Sequence, residues 1–190
     1  MASIYYAVRV VAVIWILMVI FIVLMGGDKS RKRDRASMLF LMISFSFVLP
    51  AIKYTADHGA AAPGAFSWGF PWVSYLGFFL FFFGLLVNWA SIATLNKQWS
   101  AVVVIKPDHK LVDTGIYKHI RHPIYAALLL QILGFGLTLA NWITILVLVV
   151  PSAFGFAYRI YVEERALAEH FGEAYIGYAR KTRRLIPGIF

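Results

Sequence analysis

Four long stretches of the chain contain no charged residue, and they limit its fold more than any other feature. They cover residues 10–27, 36–52, 59–96 and 123–158. A helix needs about 20 mainly apolar residues to cross about 30 Å of hydrocarbon. The first two stretches have room for one span each, whereas the last two, of 38 and 36 residues, are longer than one span. The chain is therefore predicted to be a polytopic, all-α membrane protein.

Proline and glycine divide the two longer stretches. Pro63, Gly64, Gly69 and Pro71 predict a loop over the first part of the third stretch, so the third helix is expected to begin near Pro71, where proline suits a first turn. Asn141 and Trp142 lie near the middle of the last stretch, whose length favours a hairpin of two helices. Pro151 is expected to kink or locally break the second arm, because it lacks a backbone donor. Five spans are predicted, at residues 4–25, 37–55, 71–95, 123–140 and 142–161.

The distribution of lysine and arginine predicts how these spans are oriented. Sixteen of the eighteen basic residues follow the first or third span or lie at or after the end of the fifth, and only Arg9 and Lys53 fall on the opposite side. Since positively charged loops remain in the cytoplasm, we expect the N-terminus outside and the C-terminus inside. Two polar pieces then face the cytoplasm, a connector over residues 96–121 and an amphipathic helix over residues 162–178. One domain, residues 1–190, is predicted, with its chemistry in the half formed by residues 96–190.

The composition excludes several classes of protein. With 61% hydrophobic and 14% charged residues, the chain is far more apolar than soluble domains, which average about 45–50% and 25%. Its net charge of +9 would suggest nucleic-acid binding in a soluble protein. Here the basic residues lie at the ends of apolar stretches, so no nucleic-acid partner is expected. The absence of cysteine rules out disulfides, thiolate catalysis and zinc–cysteine sites.

A cluster of polar residues precedes the fourth span. His119 and His122 are three residues apart, but a zinc site needs three or four ligands, and none accompany them, so no metal is expected. Pro123 should fix the first turn of the helix and place His122 near its N-cap, beside free backbone amides. An arginine that extends to lipid phosphates, with His122 as a simple cap, explains the same residues. The residues alone leave both interpretations open.

Two ionisable residues mark the end of the fifth span. Arg159 and Glu163 are four residues apart and therefore share a face of the helix. An exposed ion pair of this kind contributes only a few tenths of a kcal/mol. However, charged residues within membrane spans commonly mark functional sites, and a guanidinium suits two-point binding of a carboxylate or phosphate.

The order and spacing of these motifs are similar to those of a known family. The segment "HKLVDTGIYKHIRHPIY", residues 109–125, is followed by the predicted hairpin and by "RIYVEERALAEHFGEAYIGY", residues 159–178. This series resembles the isoprenylcysteine carboxyl methyltransferase family. The resemblance implies an integral membrane enzyme without a Rossmann fold, whose connector and C-terminal amphipathic helix form the pocket for S-adenosylmethionine. The reaction would leave S-adenosylhomocysteine as its second product.

The resemblance also implies roles for individual residues. Arg159 would contact the acceptor carboxylate, and Glu163 would receive the ammonium of the cofactor. The motif match assigns to cofactor binding His109, Lys110, Leu111, Val112, Tyr117, His122, Pro123, Ile124, Tyr125 and Glu163. One departure concerns the acceptor, because Gly134 and Phe135 replace a Thr-Gln pair found in many family members.

The reaction implied by the resemblance places few demands on side chains. Methyl transfer from a sulfonium is an in-line displacement that needs alignment and a dry pocket. A carboxylate acceptor is already ionised at neutral pH, so no strong general base is required. The expected acceptor is a lipid-like or prenylated molecule in the membrane, most simply the α-carboxylate of a prenylated cysteine. A phospholipid N-methyltransferase and a non-catalytic membrane protein of the same fold remain alternatives, and the oligomeric state is left open.

Overall fold

The computed structural model describes residues 48–58, 71–99 and 110–188, together with positions 13, 17, 46, 61 and 63–65. The first predicted span, 4–25, lies outside these residues apart from two helical positions, so it stays a prediction. The described helices are α1 (Val48–His58), α2 (Trp72–Leu95), α3 (Pro123–Thr138), α4 (Trp142–Phe171) and α5 (Glu173–Lys181). The connector adds two short 3-10 turns, Asn96–Gln98 and Gly115–Lys118.

Two of these helices have the length and composition of membrane spans. They are α2, with 24 residues, and α4, with 30. At about 1.5 Å per residue, α4 is roughly 45 Å long, so its last turns extend well beyond about 30 Å of hydrocarbon. Helix α3 has 16 residues and is only about 24 Å long. Helix α3 is therefore shorter than the hydrocarbon layer is thick.

Helices α2 and α3 cross with their backbones in contact. A Cβ atom added to Gly134 would lie 2.5 Å from the backbone nitrogen of Phe81 and 2.7 Å from the carbonyl oxygen of Gly77. The buried residues of α2 recur every three or four positions and are Ser74, Gly77, Phe81, Gly84, Asn88 and Ser91. Small side chains on this stripe let the helices approach closely, as is typical of membrane helix pairs.

The apolar core lies between α1 and the three longer helices. Its fully buried members are Val48, Phe81, Ile132, Phe135, Leu148 and Phe156. Large apolar side chains also cover the outer face of α2, where Trp72, Phe79 and Leu86 are exposed. Such an outward apolar surface is suited to lipid and would be unfavourable in water.

The predicted hairpin between the fourth and fifth spans is confirmed. Asn141 is the N-cap of α4, and its side-chain oxygen accepts hydrogen bonds from the backbone amides of Ile143 and Thr144. Its side-chain nitrogen donates to the carbonyl oxygen of Pro63 at 3.0 Å. One asparagine thus starts the helix and holds the predicted loop before α2 against the hairpin turn.

The end of α4 differs from the prediction. The helix continues through Pro151 without a break and ends at Phe171, so the separate amphipathic helix predicted over residues 162–178 is wrong. Its first ten residues belong to α4, and the chain turns at Gly172, where φ is +55°. Glycine adopts this left-handed conformation at little cost. Helix α5 begins at the next residue, and this turn lets α5 fold back along the end of α4.

The end of the second predicted span also differs. Helix α1 continues to His58, three residues beyond the predicted end at 55. An ion pair of 2.7 Å between Lys53 and Asp57 lies on this last part. Exposed pairs one turn apart are compatible with a helix that continues into the interfacial region.

The close crossing of α2 and α3 gives the first testable prediction. The Gly134→Ala variant should lose about 1–3 kcal/mol of stability, because the added methyl group overpacks a backbone contact. The Gly177→Ala variant is a matched control, since no atom of the described residues lies within 4 Å of a Cβ atom at Gly177 in α5. Thermal unfolding of both variants in detergent measures the difference. Equal stability would contradict the described crossing.

Candidate active site

The site is built around the start of α3. Pro123 is the first residue of this helix and His122 is its N-cap, as the sequence predicts. The His122 side chain is buried, with 4% exposure, and its backbone amide donates to the carbonyl oxygen of Arg184 at 3.0 Å. The imidazole is therefore packed inside the protein, whereas a histidine that only caps a helix at the membrane surface would be exposed.

Tyr125, one turn into α3, joins the two predicted ionisable residues. Its hydroxyl donates a hydrogen bond of 2.7 Å to Oε2 of Glu163 and accepts one of 2.8 Å from Nε of Arg159. The ring stacks between His122 and Phe156, with centroids 5.7 and 5.5 Å away. The structure thus brings together residues from two helices that are more than 30 positions apart in the sequence.

Arg159 is a buried cation inside α4. Its side chain is 4% exposed, and the guanidinium carbon lies 5.9 Å from the centre of the Tyr125 ring. Burying a charge is costly unless anionic or polar groups surround it. This position, in the second half of a helix with the length and composition of a membrane span, is therefore suited to a guanidinium that binds an anionic group.

Glu163 lies one turn further along α4, nearer to water. Its side chain is 31% exposed, and Oε2 lies 3.9 Å from Nδ1 of His122. The carboxylate is therefore partly accessible and already oriented by the Tyr125 hydroxyl. An accessible anion beside a buried imidazole provides a binding position for a small cationic group.

The connector residues predicted to bind cofactor are placed only in part. Tyr117 is buried, its carbonyl oxygen accepts a 2.8 Å hydrogen bond from the Tyr178 hydroxyl, and burial together with the Glu163 charge raises its pKa above the ordinary value. The backbone amide of Lys110 donates to the side chain of Gln98. Three further residues that were predicted to bind cofactor are half-buried: Leu111, Val112 and Ile124. His109 lies outside the described residues, and its role stays a prediction.

Glu164, the residue after Glu163, contacts three different segments. Its Oε1 accepts a 3.0 Å hydrogen bond from Nε of Arg121 and lies 3.3 Å from Nε2 of His122. Its Oε2 accepts a 2.9 Å hydrogen bond from Arg184 in the C-terminal tail, the described residues 182–188 that follow α5. Burial alone would raise the pKa of Glu164, but hydrogen bonds from His122, Arg184 and Arg121 outweigh it and hold the pKa below the ordinary value. Glu164 is therefore ionised at neutral pH.

Arg121 fastens the tail to the start of α3. Its guanidinium donates to the carbonyl oxygens of Ala179, at 2.8 Å, and Thr182, and its backbone amide donates to the carbonyl oxygen of Arg183 at 2.7 Å. The alternative in which this arginine extends to lipid phosphates is not observed, because the guanidinium turns inward to Glu164 and the tail. The sequence did not predict that Arg121 and Arg184 bind Glu164. The only indication was that Glu164 is a second carboxylate directly after Glu163.

The departure at Gly134 and Phe135 has a structural consequence. Gly134 sits where the backbones of α2 and α3 touch, so a threonine there would collide with Phe81. Phe135 is completely buried in the apolar core. The polar pair found at these positions in many family members is thus replaced by close packing, and no polar acceptor contact arises from either residue.

Comparison with known proteins identifies similar sequences and a similar fold. Residues 73–169 match the model of the isoprenylcysteine carboxyl methyltransferase (ICMT) family. Protein-S-isoprenylcysteine O-methyltransferase B of Arabidopsis thaliana is 30% identical over 118 residues, which are 61% of this chain and 60% of that protein. A cobalt-zinc-cadmium resistance protein of Cupriavidus metallidurans is 34% identical over 121 residues, 63% of this chain and 53% of that protein.

A solved structure shows the same fold. The structure of the eukaryotic intramembrane Ras methyltransferase ICMT aligns with a TM-score of 0.59 and 25% sequence identity. The alignment covers 85% of this chain and 54% of that one. The chain therefore spans little more than half the length of that protein.

The contacts of Glu164 give the second testable prediction. The Glu164→Gln variant should release the tail, because each lost hydrogen bond between charged groups contributes about 1.5–3 kcal/mol. Cleavage by trypsin in residues 180–184 should accelerate roughly tenfold or more, since proteolysis follows the population of the opened segment. The control is Glu169→Gln, which removes only an exposed pair with Arg165. Equal cleavage rates for the two variants would contradict this function of Glu164.

Proposed function

The chain belongs to the isoprenylcysteine carboxyl methyltransferase family, and we propose that it transfers a methyl group from S-adenosylmethionine to a lipophilic acceptor in the membrane. The most suitable acceptor is the α-carboxylate of a prenylated cysteine. The observation that carries the proposal is the hydrogen-bonded series Arg159–Tyr125–Glu163. It holds a buried cation and an accessible anion a few ångströms apart at the inner end of a membrane span.

The residues present fit the proposed cofactor. When bound, S-adenosylmethionine supplies a methyl group on a positively charged sulfur. The half-exposed carboxylate of Glu163 would bind the ammonium of its amino-acid part, with Tyr125 fixing the direction of the carboxylate. His122 and Tyr117 are buried beside Glu163 and would exclude water from this side of the pocket. The connector backbone and the segment from His109 to Val112 would complete it.

Arg159 would bind the acceptor. An α-carboxylate has an ordinary pKa of about 3.5 and is ionised at neutral pH, so it needs a cation that orients it rather than a base. Arg159 is almost fully buried, which strengthens its attraction to an anion. The lipid-like part of the acceptor would remain in the membrane, while its carboxylate reaches the inner end of the span. Orientation and desolvation are the main contributions such a site makes to methyl transfer.

The proposed topology places this site on the cytoplasmic side. The basic residues after the first, third and fifth predicted spans support an external N-terminus and an internal C-terminus. Helix α4 extends beyond the hydrocarbon at the end that carries Glu163 and Glu164. A water-soluble cofactor would then enter from the cytoplasm, and the acceptor would enter sideways from the lipid.

The third prediction concerns Arg159. The Arg159→Lys variant keeps the positive charge but loses the fork of donors that grips a carboxylate. We expect kcat/KM to fall by roughly 30–100-fold, equivalent to about 2–3 kcal/mol of acceptor binding energy, while cofactor affinity is kept within about threefold. Methyl transfer to a farnesylcysteine analogue measures the first quantity and calorimetry the second. Lys118→Gln, at an exposed connector position, is the control. Full activity of Arg159→Lys would contradict the acceptor role.

The fourth prediction concerns Glu163. The Glu163→Gln variant should bind S-adenosylmethionine about tenfold or more weakly, because an ammonium loses its ionic partner. Calorimetry on purified protein measures this without any acceptor. Glu169→Gln, also on α4 and exposed, serves as the control. Unchanged affinity would show that the cofactor ammonium binds elsewhere.

The choice of acceptor is tested separately. Purified protein is incubated with labelled S-adenosylmethionine and either prenylcysteine analogues or phosphatidylethanolamine. Base-labile label on the prenylcysteine analogue is the expected result, since a methyl ester hydrolyses in base. Base-stable label in the phospholipid would instead identify an N-methyltransferase. An amine acceptor must also lose a proton, so that activity would fall more steeply than ester formation as the pH is lowered.

A further inference from the structure

A groove separate from the proposed active site runs between the end of α4 and α5. Its volume is about 470 Å³, and the residues that line it include Tyr161, Glu164 and Arg165 from α4, Tyr175, Ile176 and Arg180 from α5, and Arg184 from the tail. Arg159 and Glu163 are not among the lining residues. The groove therefore opens on a different face of α4 from the one that carries the proposed methyl transfer.

The groove combines cationic and apolar surfaces. Three arginines contribute positive charge: the exposed Arg165 and Arg184 pair with glutamates, and Arg180 is exposed on α5. Alanine and isoleucine side chains form part of the floor. Arginine is the side chain best suited to binding phosphate through several donors at once.

One of the residues that line this groove, Tyr175, also carries a buried donor without a partner among the described residues. Tyr175 is 4% exposed, and its hydroxyl has no hydrogen-bond partner among the described residues. Burial raises the pKa of this phenol above its ordinary value, so the hydroxyl stays protonated at neutral pH. An unpaired buried donor costs free energy, and an anion in the groove would satisfy it.

The groove lies near the expected level of the membrane surface, and this position indicates that the anion belongs to a lipid. About 20 helical residues cross the hydrocarbon, so α4, which starts at Trp142, reaches the membrane surface near Tyr161. Below the groove, Phe154, Tyr158 and Tyr161 lie on one face of α4 and are 70%, 41% and 61% exposed. They form an exposed aromatic track that leads from the groove toward the middle of α4.

We propose that this groove binds an anionic phospholipid of the surrounding membrane, with its phosphate in contact with Tyr175, Arg180 and Arg165. One acyl chain would follow the aromatic track along α4. The inner leaflet of cell membranes is negatively charged and attracts basic surfaces of this kind. The occupant is therefore a lipid held at the junction of α4 and α5, in addition to the methyl acceptor. Glu164 lines the groove, where it binds Arg184, and it also contacts His122 in the site.

Native mass spectrometry of the full chain in detergent tests the proposal. Phosphatidylglycerol should remain bound to the parent protein, whereas phosphatidylcholine should dissociate. Arg180→Gln should weaken phosphatidylglycerol binding about tenfold. The control is Arg183→Gln, which removes a neighbouring exposed charge that does not line the groove. Equal losses in the two variants would overturn the proposal, because they would indicate diffuse attraction instead of a defined site. Equally tight binding of phosphatidylcholine would also overturn it.

A second measurement separates lipid binding from a structural function of Tyr175. Without lipid, Tyr175→Phe should be at least as stable thermally as the parent, because it removes an unsatisfied buried hydroxyl. With phosphatidylglycerol, the parent should gain more thermal stability than the variant does. Equal gains would contradict the contact between the hydroxyl and the phosphate. Equal stabilisation of the parent by inorganic phosphate would identify a free anion as the occupant and overturn the lipid assignment. Neither measurement depends on methyl transfer.

Discussion

The ionised carboxylate of Glu164 is the contact on which the rest of the site depends. It binds Arg121 before α3 and Arg184 in the tail, and it lies beside His122. The backbone and the ring of His122 are both held in place as a result. The backbone amide donates a hydrogen bond to the carbonyl oxygen of Arg184 in the tail, and the ring contacts Glu164. The start of α3, the end of α4 and the tail thus hold one another in position. A partly buried carboxylate with several cationic partners is stable in such a position because each partner offsets part of its desolvation.

The close crossing of α2 and α3 restricts how an acceptor approaches Arg159. At Gly134 the two backbones touch, and Phe135 fills the core beneath them. A prenyl chain has no room in this interface, because even one added methyl group collides there. The proposed acceptor would then reach Arg159 by a route other than the interface of α2 and α3. The proposed pocket would differ in this respect from one lined by a Thr-Gln pair, and the difference bears on which acceptors fit.

The sequence predicts the parts of this structure that depend on local chemistry. Pro123 begins α3, Asn141 begins α4, and Pro71 immediately precedes α2, because proline and asparagine act on the backbone next to them. Contacts between residues that are far apart in the sequence could not be predicted, because they depend on how the helices pack. Arg121 and Glu164 are 43 positions apart, and charge counting treats both as ordinary interfacial residues. The turn at Gly172 was missed because the apolar repeat continues across it, although its backbone conformation ends the helix.

The hydroxyl of Tyr125 connects the two halves of the proposed reaction. It accepts a hydrogen bond from Arg159 and donates one to Glu163, so it lies between the cation assigned to the acceptor and the anion assigned to the cofactor. Consecutive hydrogen bonds polarise one another in a low-dielectric interior. An anion bound to Arg159 would reduce the pull of the guanidinium on the Tyr125 oxygen. A cation bound to Glu163 would similarly reduce the attraction of the carboxylate for the Tyr125 proton. The two ligands would thus affect the same hydroxyl from opposite sides, which links acceptor and cofactor binding through one side chain.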